Sequence, residues 1–399
     1  MVKETWIPRN IEPRLRALIQ NKKSVLLLGP RQTGKTSLLE RFKFDLEIQL
    51  LSPKQRLRYE KEPDLLSDEV DAYLKRHRKK PTVLIDEIQK VPALLDVIQL
   101  ISDQKKASFW LTGSSARKLK FHAKEINLLP GRVRLFRLDP FSWAEFSEAS
   151  LEELLLFGSL PQIILNSDKR DRSELLATYV ETYLEEEVRK EALVRQLDQF
   201  MRFLELAAID SGKVSNFSKI SQQLGVAHTT IASHYQILED CLIVERVDPI
   251  TKSLTRKKLT HAPRFLFFDL GVRRFAAGEG EKLNPERMGE LFEQWVGLEL
   301  IRTSRFRLNS KLLFWRDPDG PEVDWVYEHE KKWIPFEVKW VEKPNLKSVH
   351  HLEVFIKEYP SFAKKGYVVC RTPRRYKLSS KIEALPWQEL HEVVNSFYK

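Results

Sequence analysis

The stretch Ser24-Val25-Leu26-Leu27-Leu28-Gly29-Pro30-Arg31-Gln32-Thr33-Gly34-Lys35-Thr36-Ser37-Leu38-Leu39-Glu40 decides the fold. Val25–Leu28 is an unbroken apolar run, the pattern of a strand buried on both faces of a parallel sheet. It leads into Gly29-x4-Gly34-Lys35-Thr36 and then a helical segment from Ser37 to about Phe42. Gly29 and Gly34 let the backbone curl so that successive amides point inward, and the helix start that follows favours negative charge. A loop of this shape cradles phosphate oxygens. Lys35 then reaches the β- and γ-phosphates, and the Thr36 hydroxyl is placed to bind Mg2+. Pro30, Arg31, Gln32, Thr33 and Ser37 complete the expected cradle.

A second stretch answers the first. Pro81-Thr-Val-Leu-Ile-Asp86-Glu87 reads as an apolar strand ending in two carboxylates, about fifty residues downstream of the loop. Parallel α/β sheets bind ligands at that carboxyl edge. Asp86 is the natural metal partner of Thr36, and Glu87 is placed to orient or deprotonate a water attacking the γ-phosphate. A third apolar strand, Phe109-Trp-Leu-Thr112-Gly-Ser114-Ser115, ends in hydroxyls. Thr112 and Ser114 either sense the γ-phosphate and hold the water or, for the serines, cap the next helix.

Composition sets the outer bounds. A chain of 399 residues is long for one domain and fits two or three. With 42% hydrophobic and 31% charged residues it has the make-up of a soluble globular protein. No apolar run approaches the ~18 residues of a membrane span, and the N-terminus lacks the apolar core of a secretion signal. Cys241 and Cys370 stand far apart, which indicates neither a disulfide framework nor a zinc site and suits a reducing cytoplasm. The formal charge of +11 inclines the protein toward polyanions, nucleic acid first, and equally suits a merely soluble basic protein.

Residues 6–20 read as a short helix beneath the phosphate loop, with Arg side chains that either face solvent or touch base or phosphate. An extended piece lies near residues 44–51, and a helix runs from about Ala93 to Ile101. Further on come Gly131-Arg132-Val-Arg134 and Leu138-Asp-Pro-Phe-Ser-Trp-Ala-Glu-Phe146. Together with Gly-Pro-Arg-Gln-Thr-Gly-Lys-Thr, Asp-Glu-Ile-Gln-Lys-Val-Pro and Leu-Thr-Gly-Ser-Ser, these phrases resemble a group of prokaryotic AAA+ ATPases, over essentially the whole chain. The phrase Phe157-Gly-Ser-Leu-Pro-Gln-Ile-Ile164 is similar to the lid entry of that group, with Ser159 where a second Gly is usual. The resemblance implies ATP and Mg2+ as cofactors and leaves room for a homo-oligomer. It also implies an arginine that meets the γ-phosphate, in cis or from a neighbouring subunit. Arg132 is the first choice, with Arg117 and Arg134 behind it, and a surface ion pair is the competing reading for each.

Residues 174–210 carry long charged helical patterns, read as lid and connecting helices. Asn216–Asp240 then has helix, Gly-containing turn and helix at the lengths of a helix-turn-helix, with Thr229 as a cap of the second helix. Cys241–Val247 and the basic segment 252–259 make a wing. DNA readout would use His228, Thr229, Thr230, Ser233 and His234, with Arg256, Lys257 and Lys258 on phosphates. Protein docking is the alternative, since the second helix carries no Arg or Lys.

The C-terminal region holds a second candidate chemistry. Gly289–Ile301 is an amphipathic helix carrying Glu290 and Glu293, followed by strand patterns at Leu312–Trp315, Glu322–Val326 and Trp333–Trp340. If the last two pair as a hairpin turning at Glu330-Lys331, Asp324 faces Glu337, and Lys339 lies on the same side as Glu337. Facing carboxylates repel unless a cation lies between them, which is what a Mg2+ site provides. Asp324 and Glu337 would be ligands, Glu293 or Glu290 would complete the set, and Lys339 would orient the attacking water. This pattern resembles the PD-(D/E)xK nuclease fold, either with its metal site retained or as a degenerate fold with Lys339 in a structural ion pair.

The expected architecture is therefore α/β in three parts. These are a P-loop AAA+ ATPase domain over residues 1–150, a helical lid with a winged helix over 151–262, and a restriction-endonuclease-like α/β domain over 263–399. The expected activity is Mg2+-dependent ATP hydrolysis coupled to action on DNA, with metal-dependent phosphodiester cleavage at Asp324, Glu337 and Lys339. The competing class is a nucleotide-controlled regulatory or assembly ATPase with an inactive, binding tail.

Overall fold

The computed structural model describes residues 6–115, 131–184, 197–253, 259–280, 282–317, 320–345 and 347–397. The described residues form two compact units. One runs up to Phe141 and includes Ile237–Ile243; the other holds the rest from Ser142 onward. Arg117, Arg256, Lys257 and Lys258 lie outside the described residues.

The first unit is built on five parallel strands, β1 (Ser24–Leu28), β2 (Leu46–Gln49), β3 (Thr82–Asp86), β4 (Ser108–Gly113) and β5 (Val133–Arg137), in the order β2-β3-β4-β1-β5. Strands β3 and β4 are buried along their whole length, as their apolar runs require. The helix Leu94–Asp103 turns Leu94, Val97, Ile98 and Ile101 inward, a spacing that puts all four on one face. They join Val83, Ile85, Phe109 and Leu111 in a single apolar core, to which Leu242 also belongs. Because β4 lies between β1 and β3, the ends of all three meet at one edge of the sheet, with Leu28 beside Gly113 and Ile85 beside Leu111. The phosphate loop, Asp86-Glu87 and Thr112–Ser114 all leave from that edge.

In the second unit, a reciprocal capping box opens the helix Leu151–Phe157: Glu153 N–H donates to Ser150 Oγ, and Ser150 N–H to the Glu153 carboxylate. Asn216 caps the helix Phe217–Leu224, left-handed Gly225 (φ +65°) ends it, and the helix His228–Asp240 follows. That second helix opens at His228, where the Ala227 carbonyl accepts from Thr230, so Thr229 lies inside the first turn and is not its cap.

The strands of this unit are β6 (Val244–Pro249), β7 (Arg264–Phe267), β8 (Ser310–Arg316), β9 (Glu322–His329), β10 (Lys332–Val338), β11 (Gly366–Cys370), β12 (Tyr376–Lys377) and β13 (Ile382–Pro386). They form one sheet in the order β12-β13-β11-β10-β9-β8-β6-β7. The β6 and β7 strands pair antiparallel, and the end of β6 runs parallel to β8. A boundary at residue 262 would cut between these paired strands. Similarly, Trp143 N–H donates to Glu299, so residues just before 150 pack in the second unit. The helix Lys347–Glu358 packs Val349, Leu352, Phe355 and Ile356 onto Trp315, Val323, Val326 and Val368. The helix Met288–Ser304 brings Gly297 so close to Trp325 that a Cβ there would lie 2.8 Å from the indole.

Among the described residues no helix is long and apolar enough to cross a membrane.

Candidate nucleotide site and C-terminal carboxylate cluster

The phosphate loop has the curl its glycines predict. Gly34 is left-handed at φ +89° and Gln32 at φ +61°, while Gly29 is required for a different reason. A Cβ on Gly29 would lie 2.3 Å from the Leu138 carbonyl oxygen. Lys35 is buried, and its Nζ donates to the Gly29 carbonyl (2.8 Å) and the Pro30 carbonyl (2.9 Å). The ammonium therefore already stands inside the turn it serves. Thr33 Oγ1 closes the loop by donating to the Pro30 carbonyl at 2.9 Å. Thr36 and Ser37 are exposed at the start of the helix Lys35–Leu39, and Arg31 and Gln32 are half-exposed.

Two neighbouring strands supply the acidic pair and its partners. The Thr112 hydroxyl donates to Asp86 Oδ1, and Thr112 Oγ1 itself accepts the Glu87 amide at 2.9 Å. Burial pushes the Asp86 carboxyl up; the Thr112 bond works against that, the Glu87 charge adds to it, and the nearby Lys35 ammonium opposes it. Glu87 is held at φ +59°, a left-handed geometry that costs a non-glycine residue on the order of 1–3 kcal/mol. Its carboxylate accepts from Ser114 Oγ (3.2 Å) and from Gln89 Nε2, and Gln89 Nε2 also reaches Ser114 Oγ at 3.1 Å. Thr112 and Ser114 thus both turn toward the carboxylates. Gln89 was not singled out from the sequence, although its place in Asp86-Glu-Ile-Gln89 was a usable signal. Gly113 makes room for it, since a Cβ there would lie 2.7 Å from Gln89 Oε1.

Arg132 stands elsewhere. Val133 pairs with Ser24 at the start of β1, the sheet edge opposite the phosphate loop. There Arg132 grips Asp103 at two points, 2.5 and 3.1 Å. A strand of five residues spans roughly 16 Å, so Arg132 does not reach its own loop, and the in-cis reading gives way to a surface ion pair. Arg134 is exposed on β5. Arg9, read as solvent-facing or ligand-touching, is instead 4% exposed and donates to the Thr33 carbonyl at 2.9 Å.

In the second unit the hairpin has the expected register. Left-handed Glu330 and Lys331 make the turn, and Phe336 faces Trp325, so one step further Glu337 faces Asp324. Both carboxylates are buried. Each is nonetheless turned to a protein donor: Asp324 Oδ2 accepts from Val338 N–H (2.7 Å), and Glu337 Oε1 from Lys339 Nζ (2.8 Å). Glu293 pairs with Arg264 Nη1 at 2.7 Å, and Glu290 is exposed and pairs with Arg287. Among the described residues, no three His, Cys, Asp or Glu side chains converge as an ion site. Of the three carboxylates expected as metal ligands, Glu293 pairs with Arg264 and Glu337 with Lys339, so the described residues form an ionic network here. Arg264, from β7, was not visible as part of this cluster in the sequence.

The network remains strained electrostatically. Burial and the Asp324 charge push Glu293 and Glu337 up, against Arg264 and Lys339 respectively. Burial also raises Asp324. For Lys339, burial works downward but Glu337 and Asp324 hold its pKa above the ordinary value. Glu337 Oε2 is buried with no hydrogen-bond donor, which fits an oxygen that could still take a cation.

In the helix pair, His228, Thr229 and Ser233 are exposed and Thr230 half-exposed. His234 is not available for readout. It is buried edge-on between Phe200 and Phe203, with ring centroids 4.9 and 5.0 Å away.

Residues 21–147 match the family model of an AAA domain. That match supports an AAA-type ATPase of prokaryotic kind. Residues 148–283 and 288–390 match two domains of unknown function, DUF8612 and DUF4143. Over 391 residues, 96% of this chain and 84% of theirs, the sequence is 24% identical to uncharacterised proteins of Mycobacterium bovis and Mycobacterium tuberculosis. Among solved structures, a Pif1 helicase from a study of DNA unwinding aligns at TM-score 0.26 and 13% identity, covering 43% of this chain and 52% of that one. A Vibrio cholerae protein aligns at TM-score 0.23 and 11% identity, covering 94% and 97%. Neither score reaches that of a shared overall fold.

Proposed function

We propose that this protein is a Mg2+-dependent ATPase whose ATP cycle is coupled to DNA binding in the cytoplasm. The observation that carries the ATPase reading is the set Asp86, Glu87, Thr112 and Ser114, gathered at the same sheet edge as the phosphate loop. Lys35 binds the β- and γ-phosphate oxygens after leaving the Gly29 and Pro30 carbonyls. Thr36 and Asp86 would hold Mg2+, which when bound supplies positive charge against the charge developing on the phosphoryl oxygens. Glu87 orients the attacking water, and Arg132 is left as a residue that acts on a neighbouring subunit in a homo-oligomer. Lys35→Ala and Glu87→Gln proteins should lose ATP hydrolysis; wild-type turnover in either defeats the assignment.

The DNA part of the reading rests on charge and on the second unit. The helix pair followed by β6 and β7 is taken as a winged helix that meets DNA through His228, Thr229, Thr230 and Ser233. The sheet around β9 and β10 is taken as nuclease-like, with Asp324, Glu337 and Lys339 acting on a phosphodiester. The unpartnered Glu337 Oε2 supports a metal there. Digestion of single-stranded, duplex and branched DNA in Mg2+ or Mn2+ tests this, with Asp324→Ala as control. If no substrate is cut, or Asp324→Ala cuts as well as wild type, cleavage is withdrawn.

A second reading has its own observation. Arg264–Glu293 and Lys339–Glu337 pairs satisfy the carboxylates without metal, as in an inactive fold that binds and does not cut. The protein is then a nucleotide-controlled regulatory or assembly ATPase. DNA-stimulated ATPase activity with steep salt dependence favours the first reading; ATP-driven oligomerisation indifferent to DNA favours the second.

A further inference from the structure

We propose that Arg9 is a positioning residue for the nucleotide, fixing the phosphate loop from behind. The guanidinium is buried, which is rare for arginine unless its donors are used. Nη1 donates to the Thr33 carbonyl at 2.9 Å and Nη2 to the Asp139 carbonyl at 2.7 Å, while the group lies 4.8 Å from the centre of the Phe141 ring. The side chain therefore ties together three separate pieces of chain: its own segment before the first helix, the phosphate loop, and the segment after β5.

The consequence for the loop follows from peptide planarity. In a trans peptide the carbonyl and the next N–H point in opposite directions. Holding the Thr33 carbonyl outward on Arg9 thus aims the Gly34 N–H into the cradle, where a phosphate oxygen would accept it. Gly34 needs this help more than most residues, because its φ of +89° sits in a region where glycine moves freely. The second bond acts on the other side of the turn. Asp139 follows Leu138, whose carbonyl presses on Gly29 and whose amide donates to the Leu28 carbonyl at 2.8 Å. Arg9 thereby holds both ends of the turn at once. Lysine cannot substitute, since one ammonium lacks the planar fork that reaches two carbonyls.

The inference rests on ATP occupying this loop. The test compares wild type, Arg9→Lys and Arg9→Ala by equilibrium binding of MgATP, steady-state ATPase kinetics and melting without nucleotide. Arg9→Lys should raise the ATP dissociation constant and KM about tenfold, about 1.4 kcal/mol, with kcat within about twofold. Without nucleotide it should still melt cooperatively and be folded at the assay temperature. ATP affinity unchanged in Arg9→Lys overturns the inference while leaving the ATPase reading intact, and so does a loss confined to melting temperature. Wild-type protein that binds no MgATP overturns the ATPase reading itself. Arg9→Ala serves as the upper limit and is interpreted only if its melting shows a folded chain.

Discussion

Thr112 on β4 gives its hydroxyl hydrogen to Asp86 on the adjacent β3, and the Thr112 oxygen accepts the amide of Glu87. One hydroxyl thus fixes both the expected metal ligand and the backbone of the expected water-orienting residue. Thr112→Val keeps the shape and removes both bonds. It should cost ~1–3 kcal/mol of stability, because two buried polar groups lose their partner. It should also raise the Asp86 pKa further, since the Thr112 bond now lowers it. ATPase activity should fall at least about tenfold at neutral pH, with the acid limb of the pH–rate profile moved upward. A wild-type profile would remove Thr112 from the site.

Gln89 and Ser114 hold the Glu87 carboxylate from two sides. Gln89→Ala should lower kcat while leaving the KM for ATP near wild type, because Gln89 bonds Glu87, the residue proposed to orient the water. Steady-state kinetics read this directly. A rise in KM with kcat unchanged would place Gln89 in nucleotide binding.

Glu337 and Glu293 are each pushed up to about 8 from the ordinary 4.5. The folded protein then holds protons that the unfolded chain releases above about 4.5. Stability should fall as pH rises from there through about 8. Melting temperatures measured in chelator across this range should show the slope, and Glu337→Gln should flatten it. If Mg2+ binds the cluster, it should restore the alkaline end; no change with Mg2+ favours the inactive-tail reading.

Arg132 and Asp103 are partly exposed, at 32% and 47% of the side chain, and their ion pair is worth ~0–1 kcal/mol. Arg132→Ala should leave ATP hydrolysis unchanged in dilute protein, where chains are apart. If Arg132 acts on a neighbour, the variant should lose the rise of specific activity with protein concentration. Equal specific-activity curves for variant and wild type would end its role in hydrolysis.

His234 is kept neutral by burial against Phe200 and Phe203, its pKa lowered from the ordinary 6.5. The unfolded chain takes up the proton first as pH falls. The stability His234 contributes is therefore present above about 6.5 and lost below it. His234→Phe should make the acid side of the stability curve shallower, and DNA affinity should not change. A drop in DNA affinity with the fold intact would return His234 to the readout surface.

The sequence alone determined the local geometry of the glycine loop and the strand ends beside it. Gly29 and Gly34 are demanded by a backbone that must curl and approach closely. The apolar runs before Gly29, Asp86 and Thr112 are demanded by burial on both faces. The hairpin register was also legible, because the Glu330-Lys331 turn and the period of two leave Asp324 only one partner, Glu337.

Tertiary structure decided what each charged side chain does. Arg132 and Arg9 look alike in sequence, yet β5 pairing carries one to the far edge and folding buries the other behind the loop. Arg264 reaches Glu293 from a strand 29 residues away, and His234 disappears between two rings. An apolar residue's place follows from the periodicity of its own segment. A charged side chain's role depends on partners distant in sequence, which only the packed sheet brings within hydrogen-bond reach.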